Sequence, residues 1–142
     1  MATASTRISK QQFEAIAAFR YEMRRYLRFS EEITRDAGIT PLQYLLLLQI
    51  KGYPGREWAT VGELAERLQA KHHGMVSLIS RCEELGLVAR RASAADRRQV
   101  EVHLLPKGER LLARLVHLHR KELLALQGRF RVPDIRSLES VE

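Results

Sequence analysis

The stretch from residue 60 to residue 104 constrains the fold of this chain more than any other part of its 142 residues. Thr60 and Glu63 have the spacing of a helix capping box, in which each side chain binds the backbone N–H of the other residue. Apolar residues then recur at helical spacing in two stretches separated by a short turn. The pattern predicts one short helix at about 61–69 and a second helix at about 73–85.

Two strand-like stretches, residues 87–92 and 99–104, follow the second helix. In the second stretch Val100, Val102 and Leu104 alternate with polar residues, which is the pattern of a strand with one face in water. The loop between the two stretches reads ASAADRR and is basic at its far end. Helix, turn, helix, strand, basic loop and strand is the order of a helix-turn-helix with a two-stranded wing, which places one helix in the major groove of DNA.

Long apolar helices are predicted on both sides of this segment. A further capping box at residues 9–12 begins a helix that extends to about residue 36. Pro41 opens a shorter helix whose run LLLLQI is apolar all round, so this helix is expected to be buried. Pro106 opens a leucine-rich helix to about residue 127, and a short helix is expected to follow to the end of the chain. One helix of a small domain cannot bury so many leucines alone, which indicates a protein partner.

Composition narrows the functional class. The net charge of +7 and the pI of about 10.1 favour a polyanionic partner, with nucleic acid first and an acidic membrane surface second. The single cysteine allows no intrachain disulfide, the N-terminus lacks the apolar core of a signal peptide, and no apolar run is long enough to span a membrane. Phosphate-binding loops, nucleophile elbows and HExxH motifs are absent from the sequence, so the chain is interpreted as a cytoplasmic protein that is not an enzyme.

The order of these elements resembles that of the MarR family, the multiple-antibiotic-resistance regulators. The resemblance is carried by VGELAERL at 61–68, LISRCEELGLVARR at 78–91, ADRRQVEVHLLPKG at 95–108 and the leucine-rich helix that follows them. It implies a homodimeric, ligand-responsive repressor of transcription that binds double-stranded DNA at a pseudo-palindromic operator. It implies no cofactor.

The predicted fold class is mainly α with a small β-wing, an α+β arrangement in a single domain of residues 1–142. Residues 40–104 are predicted to form the winged helix-turn-helix lobe that binds DNA. The resemblance implies that the flanking N- and C-terminal helices, residues 9–36 and 106–140, form the dimer interface.

The resemblance assigns the second helix of the motif to the major groove as the recognition helix. Its first turns are then expected to face base edges, because Ser and His both donate and accept hydrogen bonds and Arg can pair with guanine. The candidates for these contacts are His73, Gly74, Ser77 and Arg81. Lys71 and His72 lie at the preceding turn and are expected to meet phosphates.

The wing supplies the second group of predicted DNA contacts. One of Arg97 and Arg98 is expected to enter the minor groove or to meet its flanking phosphates. Asp96 matches the acidic residue that, in the resembled family, pairs with an arginine and shapes the wing. Arg90 and Arg91 on the preceding strand are candidates for phosphate contacts, with a structural role left open for one of them.

The resemblance also implies a pocket for a small aromatic or phenolic effector. Six residues are candidates for it, because together they offer aromatic faces and a counter-charge. They are Arg20, Met23, Arg24, Tyr26, Tyr44 and Trp58. The alternative is that the aromatic side chains belong to the core and the arginines to the solvated surface.

Two other functional classes remain open at this point. A winged helix can serve as a protein-interaction module, although such a module would not need Arg97, Arg98 and a polar recognition face together. A thiol- or metal-responsive regulator would use Cys82 or the five histidines. Cys82 lies on an apolar stripe, where thiols are usually inert, and the histidines are not spaced to share one ion, so no metal site is predicted.

Overall fold

A computed structural model describes residues 7–134, in which the predicted order of helices and strands is present. The helices are α1 (Lys10–Asp36), α2 (Pro41–Lys51), α3 (Val61–Arg67), α4 (His72–Glu84) and α5 (Pro106–Leu126), and the strands are β1 (Trp58–Thr60), β2 (Val88–Ala92) and β3 (Val100–Leu104). The predicted fold class, mainly α with a small β-wing, is confirmed. Residues 135–142, which include the end of the predicted dimerisation segment and of the short last helix, lie outside the described residues.

The β-sheet has three antiparallel strands in the order β1–β3–β2, which is one strand more than predicted. The central strand β3 places Val102 opposite Ala59 of β1 and opposite Arg90 of β2. Strand β1 was not predicted, because its three residues follow the polar, Pro-Gly-containing loop 53–57. Pairing with the distant strand β3, rather than a local pattern, gives this segment its extended conformation.

The capping boxes that mark the predicted helix starts are present. Thr60 Oγ1 accepts a hydrogen bond from the backbone N–H of Glu63 at 3.2 Å, and Thr60 N–H donates to Glu63 Oε1 at 2.9 Å. Thr40 and Gln43 make the same reciprocal pair at the start of α2. These bonds satisfy N–H groups that have no partner within the helix, and they fix the first turn of each helix.

The chain forms two compact units, one made of Glu31–Leu118 and the other of residues 7–30 with 119–134. The first unit contains the winged helix-turn-helix and a core of fully buried side chains from α2, α3, α4, the sheet and α5. Helix α2 was predicted to be buried on all sides, but this prediction is wrong, because Leu42 and Leu45 are 55% and 38% exposed. Its opposite side supplies the core instead.

The first turn of helix α5 packs so closely against the backbone of Leu87 that only glycine fits at Gly108. A Cβ atom added to Gly108 would lie 2.1 Å from the carbonyl oxygen of Leu87. The same oxygen accepts a hydrogen bond from the backbone N–H of Leu105 at 2.9 Å. The first turn of α5 is therefore fixed beside the chain segment that joins α4 to β2.

Helices α1 and α5 keep apolar side chains in solvent. The exposed fraction is 55% for Phe13, 51% for Leu27, 46% for Leu123 and 51% for Leu124. This is the surplus of apolar surface that the sequence predicts. No helix within residues 7–134 combines the length and the apolarity needed to cross a membrane.

Candidate nucleic-acid interface

Helix α4 presents a polar face to solvent because its other face is anchored in the core. Met75, Ile79 and Cys82 are completely buried, as their spacing predicts. Leu85 lies three residues after Cys82 but is 41% exposed, because it lies at the C-cap position beyond the last helical residue. The six predicted contacts at this helix and its preceding turn are all exposed: Lys71, His72, His73, Gly74, Ser77 and Arg81.

The turn between α3 and α4 contains a residue in a left-handed backbone conformation. Gln69 has a φ of 52°, which is costly for a residue with a side chain. Its side-chain Nε2 donates to the carbonyl oxygen of Glu66 at 2.8 Å, and its backbone N–H donates to the same oxygen at 3.1 Å. Lys71, the N-cap residue of α4, makes no side-chain capping bond. An ammonium group carries no acceptor, so it could not bond to the free N–H groups of the first turn.

Arg90 of β2 is bonded to helix α4. Its guanidinium forms an ion pair with Glu83 and donates to Ser80 Oγ at 2.8 Å and to the carbonyl oxygen of Val76 at 3.0 Å. Its backbone N–H donates to Glu83 Oε2 at 3.2 Å. A structural role was left open for one of the two candidate phosphate contacts Arg90 and Arg91, and these bonds to the recognition helix fit that role for Arg90. Its neighbour Arg91 is exposed.

The wing loop is closed by polar side chains that bond to its own backbone. Ser93 is buried, and its Oγ accepts from the backbone N–H of Asp96 at 3.2 Å. Asp96 Oδ1 in turn accepts from the backbone N–H of Arg98 at 3.0 Å. The resemblance implied that Asp96 pairs with an arginine and shapes the wing. In the structure its carboxylate bonds to the backbone of Arg98. Arg97 and Arg98 are exposed at the turn.

An arginine between two aromatic rings joins the loop before β1 to helix α3. Arg56 Cζ lies 3.9 Å from the centroid of the Trp58 ring and 4.4 Å from that of Tyr53. Its guanidinium forms an ion pair with Glu63, while its Nε is buried without a hydrogen-bond partner among the described residues. The two ring faces explain this isolation, since they cover the guanidinium and attract its charge. This cluster was not predicted from the sequence.

The carboxylate of Glu63 is the acceptor at the centre of this cluster. Burial raises the pKa of Glu63, but hydrogen bonds from Tyr53, from Thr60 and from Arg56 favour the charged form more strongly and lower the pKa to about 2. Glu63 therefore stays ionised at neutral pH. It holds the start of α3 and the loop before β1 together.

The described residues offer little support for a thiol or metal switch. Burial raises the pKa of the Cys82 thiol to about 11, so it is protonated at neutral pH. No group of three or more His, Cys, Asp or Glu residues between 7 and 134 is arranged to hold a metal ion. His119 is buried and is bonded to Ser30 Oγ at 2.7 Å.

The structure brings together only part of the predicted effector pocket. Met23 and Tyr26 line one apolar cavity of about 400 Å³ in the unit of residues 7–30 and 119–134. Burial raises the pKa of the Tyr26 phenol. Tyr44 is buried in the core of the other unit, and Trp58 packs on Arg56. The two arginines of the prediction, Arg20 and Arg24, are exposed and do not line that cavity.

Comparisons with known proteins match the chain to transcriptional regulators. The MarR family model matches residues 37–99. A putative transcriptional regulatory protein for the hcr operon of Thauera aromatica is 34% identical over 100 residues, which are 70% of this chain and 54% of that protein. The uncharacterized HTH-type transcriptional regulator YsmB of Bacillus subtilis (strain 168) is 30% identical over 114 residues, 76% of this chain and 72% of that protein. The chain thus spans about half the length of the Thauera relative and nearly three quarters of YsmB.

Solved structures share the fold. A MarR family protein from Bacillus stearothermophilus has a TM-score of 0.73 and 25% identity, covering 94% of this chain and 91% of that one. MepR of S. aureus, solved in complex with DNA, has a TM-score of 0.60 and 19% identity, over 78% of this chain and 88% of that one. NadR, solved in complex with 4-hydroxyphenylacetate, has a TM-score of 0.67 and 22% identity, over 90% and 85%.

Proposed function

This chain belongs to the MarR family of transcriptional regulators, and from that premise we propose that it is a homodimeric repressor that reads a pseudo-palindromic DNA operator and releases it when a small molecule binds. One observation carries the proposal. The recognition helix keeps Met75, Ile79 and Cys82 in the core and leaves a polar face, with His73 and Ser77, in solvent. A helix held in this way can enter the major groove without uncovering the core.

The charge around this face supports DNA as the ligand. Lys71 lies at the N-cap of α4, and Arg97 and Arg98 lie at the exposed turn of the wing. Lysine and arginine at such positions bind phosphates and enter narrow minor grooves. MepR, which shares the fold, was solved bound to DNA. The proposal includes a cytoplasmic location, since the protein would act on chromosomal DNA.

The exposed apolar side chains of α1 and α5 support a homodimer. Phe13, Leu27, Leu123 and Leu124 are each about half exposed, and a symmetric partner would bury the same residues on both chains. Two recognition helices about 34 Å apart would then meet the two halves of one operator. Charged replacements that test the dimer should be made at the exposed Leu123 and Leu124. A charge at Leu115 would instead destabilise the fold, because Leu115 is fully buried in the core.

Binding to the DNA upstream of the protein's own gene tests this proposal. Fluorescence anisotropy should give an affinity for that DNA at least about a thousandfold higher than for random DNA at the same salt concentration. Protection of two half-sites related by symmetry is expected in a footprint. Equal affinity for both DNAs would contradict sequence-specific regulation and favour a winged-helix protein-interaction module.

Sedimentation tests the dimer separately. The wild type should sediment at twice the chain mass of 16.4 kDa. Leu123→Glu with Leu124→Glu should give a folded monomer, because a dimer would bury two unpaired charges on each chain. Val100→Glu, at an exposed strand position, is the matched control and should stay dimeric. A wild type that remains monomeric at micromolar concentration would contradict the dimer.

An aromatic or phenolic effector is the third part of the proposal. The cavity that contains Met23 and Tyr26 is apolar and has the size of a small-molecule site. NadR, which shares the fold, was solved with 4-hydroxyphenylacetate. Adding phenolic carboxylates to the protein–operator complex tests this part, with release of DNA as the expected result. Loss of that response in Tyr26→Leu, with DNA binding retained, would assign the response to the cavity.

A further inference from the structure

A second cavity lies beside the C-terminal end of the recognition helix. It has a volume of about 370 Å³ and lies wholly within the unit Glu31–Leu118. Its apolar wall comes from the α1–α2 connection, the α4–β2 connection and α5. The main apolar lining residues are Ile39, Leu85, Leu87 and Leu111. This volume falls in the range of small-molecule sites, which is about 300–1,000 Å³.

The rim of this cavity carries three cationic side chains and no acidic one. They are Lys107, Arg110 and Arg114, all from helix α5. Arg110 and Arg114 are four residues apart, so they lie on the same side of the helix. Both are exposed, and neither has a hydrogen bond or an ion pair with another described residue. Two such guanidinium groups over an apolar wall match the charge and the polarity of an amphipathic anion.

We propose that this cavity binds a phosphomonoester whose organic part is apolar or aromatic. A phosphomonoester carries a charge of about −1.5 to −2 at neutral pH, which matches a rim of three cations better than the single charge of a carboxylate. Arginine forks bind phosphate oxygens in pairs. The organic part would cover the exposed side chain of Leu85 and the half-buried side chain of Leu111, which a free phosphate ion would leave in water. The ligand class follows from the charge and the apolar wall together.

Lys107 links this site to the recognition helix. Its Nζ donates a hydrogen bond to the carbonyl oxygen of Leu85 at 2.8 Å, at the C-cap of α4. A lysine at that position stabilises the helix end, because the last carbonyl groups have no partner within the helix. A bound phosphate competes for the same ammonium group and weakens this cap. The resulting change in DNA affinity rests on the proposed function, whereas binding of the ligand does not.

Binding of 2-naphthyl phosphate to the full chain tests the site without DNA. Methyl NMR signals of Ile39, Leu85, Leu87 and Leu111 should shift on titration. The double variant Arg110→Gln with Arg114→Gln should bind at least about tenfold more weakly, since it loses two charge-assisted contacts. The matched control is Arg120→Gln, an exposed arginine on the same helix that does not line the cavity. Unchanged thermal unfolding of both variants would show that the fold is retained.

Comparison ligands separate the contributions of the two parts of the molecule. Inorganic phosphate and neutral 2-naphthol should each bind at least about tenfold more weakly than 2-naphthyl phosphate, and 2-naphthoate should be intermediate. Affinity should rise from about pH 5 to pH 7 as the phosphate loses its second proton near pH 6. The site would be overturned if 2-naphthol bound as tightly as 2-naphthyl phosphate. It would also be overturned if the methyl shifts were confined to the cavity that contains Met23 and Tyr26, or if the double variant kept the affinity of the wild type.

The DNA arm of the experiment has its own outcomes. The ligand should change operator affinity by at least about threefold in the wild type and not in Lys107→Met, which lacks the competing ammonium group. A ligand that binds at Leu85 without changing operator affinity would overturn the link to the recognition helix. If the double variant instead weakens binding to random DNA and lowers its salt dependence, the two arginines contact the DNA backbone and the ligand assignment is wrong.

Discussion

Arg90 and Glu83 are joined twice across the corner between the recognition helix and the wing. The backbone N–H of Arg90 donates to Glu83 Oε2 at 3.2 Å, and its guanidinium pairs with Oε1 of the same carboxylate. These bonds connect strand β2 to helix α4, together with the bonds from the same guanidinium to Ser80 and Val76. The helix that is proposed to read bases and the strand that carries the wing are held in a fixed relation.

Replacing Arg90 should lower stability without removing a DNA contact. Arg90→Gln loses the ion pair and the bonds to Ser80 and Val76, which are partly exposed. We expect the free energy of unfolding to fall by about 1–2 kcal/mol in urea titrations. Arg91→Gln, at the exposed neighbouring position, should change it by less than about 0.5 kcal/mol. Arg90 is a phosphate contact instead if Arg90→Gln keeps wild-type stability and the slope of log DNA affinity against log salt concentration shrinks by about one.

The wing arginines should matter for DNA binding and not for folding. Arg97 and Arg98 are exposed, so alanine at either position should change the free energy of unfolding by less than about 0.5 kcal/mol. If one of them enters the minor groove, its removal should weaken binding most for operators with A·T-rich flanks. If both meet phosphates only, affinity should fall for all sequences alike. Unchanged affinity in both variants would exclude the wing from the interface.

His73 and Ser77 should determine base preference. They are exposed and four residues apart on α4, which places them on one face of the helix. Alanine at either position should change selection at a few symmetric operator positions, each worth about 1–3 kcal/mol. Lys71→Ala should lower affinity for every sequence to the same extent. Selection from randomised operators measures this, and an operator identical to that of the wild type would assign base reading elsewhere.

The hydrogen bonds that the Glu63 carboxylate accepts from Tyr53, Thr60 and Arg56 should make stability depend on pH. Its pKa in the folded protein, about 2, lies below the ordinary 4.5, so the folded state binds this proton less readily than the unfolded state. The stabilisation is present above about pH 4.5 and is lost as the pH falls towards 2, on the order of 2 kcal/mol after allowing for solvent screening. Glu63→Gln keeps the capping geometry and should remove this dependence.

The measurement for Glu63 is the free energy of unfolding across this pH window. The difference between the wild type and Glu63→Gln should shrink as the pH falls. Glu84→Gln, which replaces an exposed carboxylate on α4, should show no such convergence. Parallel curves for the wild type and Glu63→Gln would mean that Glu63 has an ordinary pKa.

The thiol of Cys82 should be unreactive in the folded protein. It is completely buried, and burial raises its pKa to about 11, so the thiolate fraction at pH 8 is on the order of one in a thousand. Alkylation by iodoacetamide should be at least about a hundredfold slower than in urea-unfolded protein. Rapid labelling of the native protein, with loss of DNA binding, would instead support the hypothesis of a thiol-responsive regulator.

Local signals in the sequence account for most of the helices. The capping pairs at Thr40 and Thr60 depend on residues three positions apart, and the buried face of α4 depends on spacing of three and four. Such patterns are set by backbone geometry and can be read from a single chain. For the same reason the exposure of His73 and Ser77 could be predicted once Met75 and Ile79 had been assigned to the core.

Contacts between distant segments could not be predicted in this way. Strand β1 exists because Trp58 and Ala59 pair with β3, more than forty residues later in the sequence. The bonds between Arg90 and α4 cross a turn, where helical periodicity gives no information. A charged residue can face solvent, phosphate or another side chain, and composition does not distinguish these environments.

Gly108 illustrates how packing and recognition can be confused in genetic data. Any side chain there would collide with the backbone of Leu87, which cannot move aside without breaking its bond to Leu105. A saturation mutagenesis screen scored by repression should therefore reject every substitution at this position, as it would at a residue that reads bases. Purified Gly108→Ala should differ from a base-reading variant in its melting temperature. If intolerance to substitution were the only criterion, Gly108 would be counted among the operator-binding residues, although its close packing against Leu87 explains the intolerance.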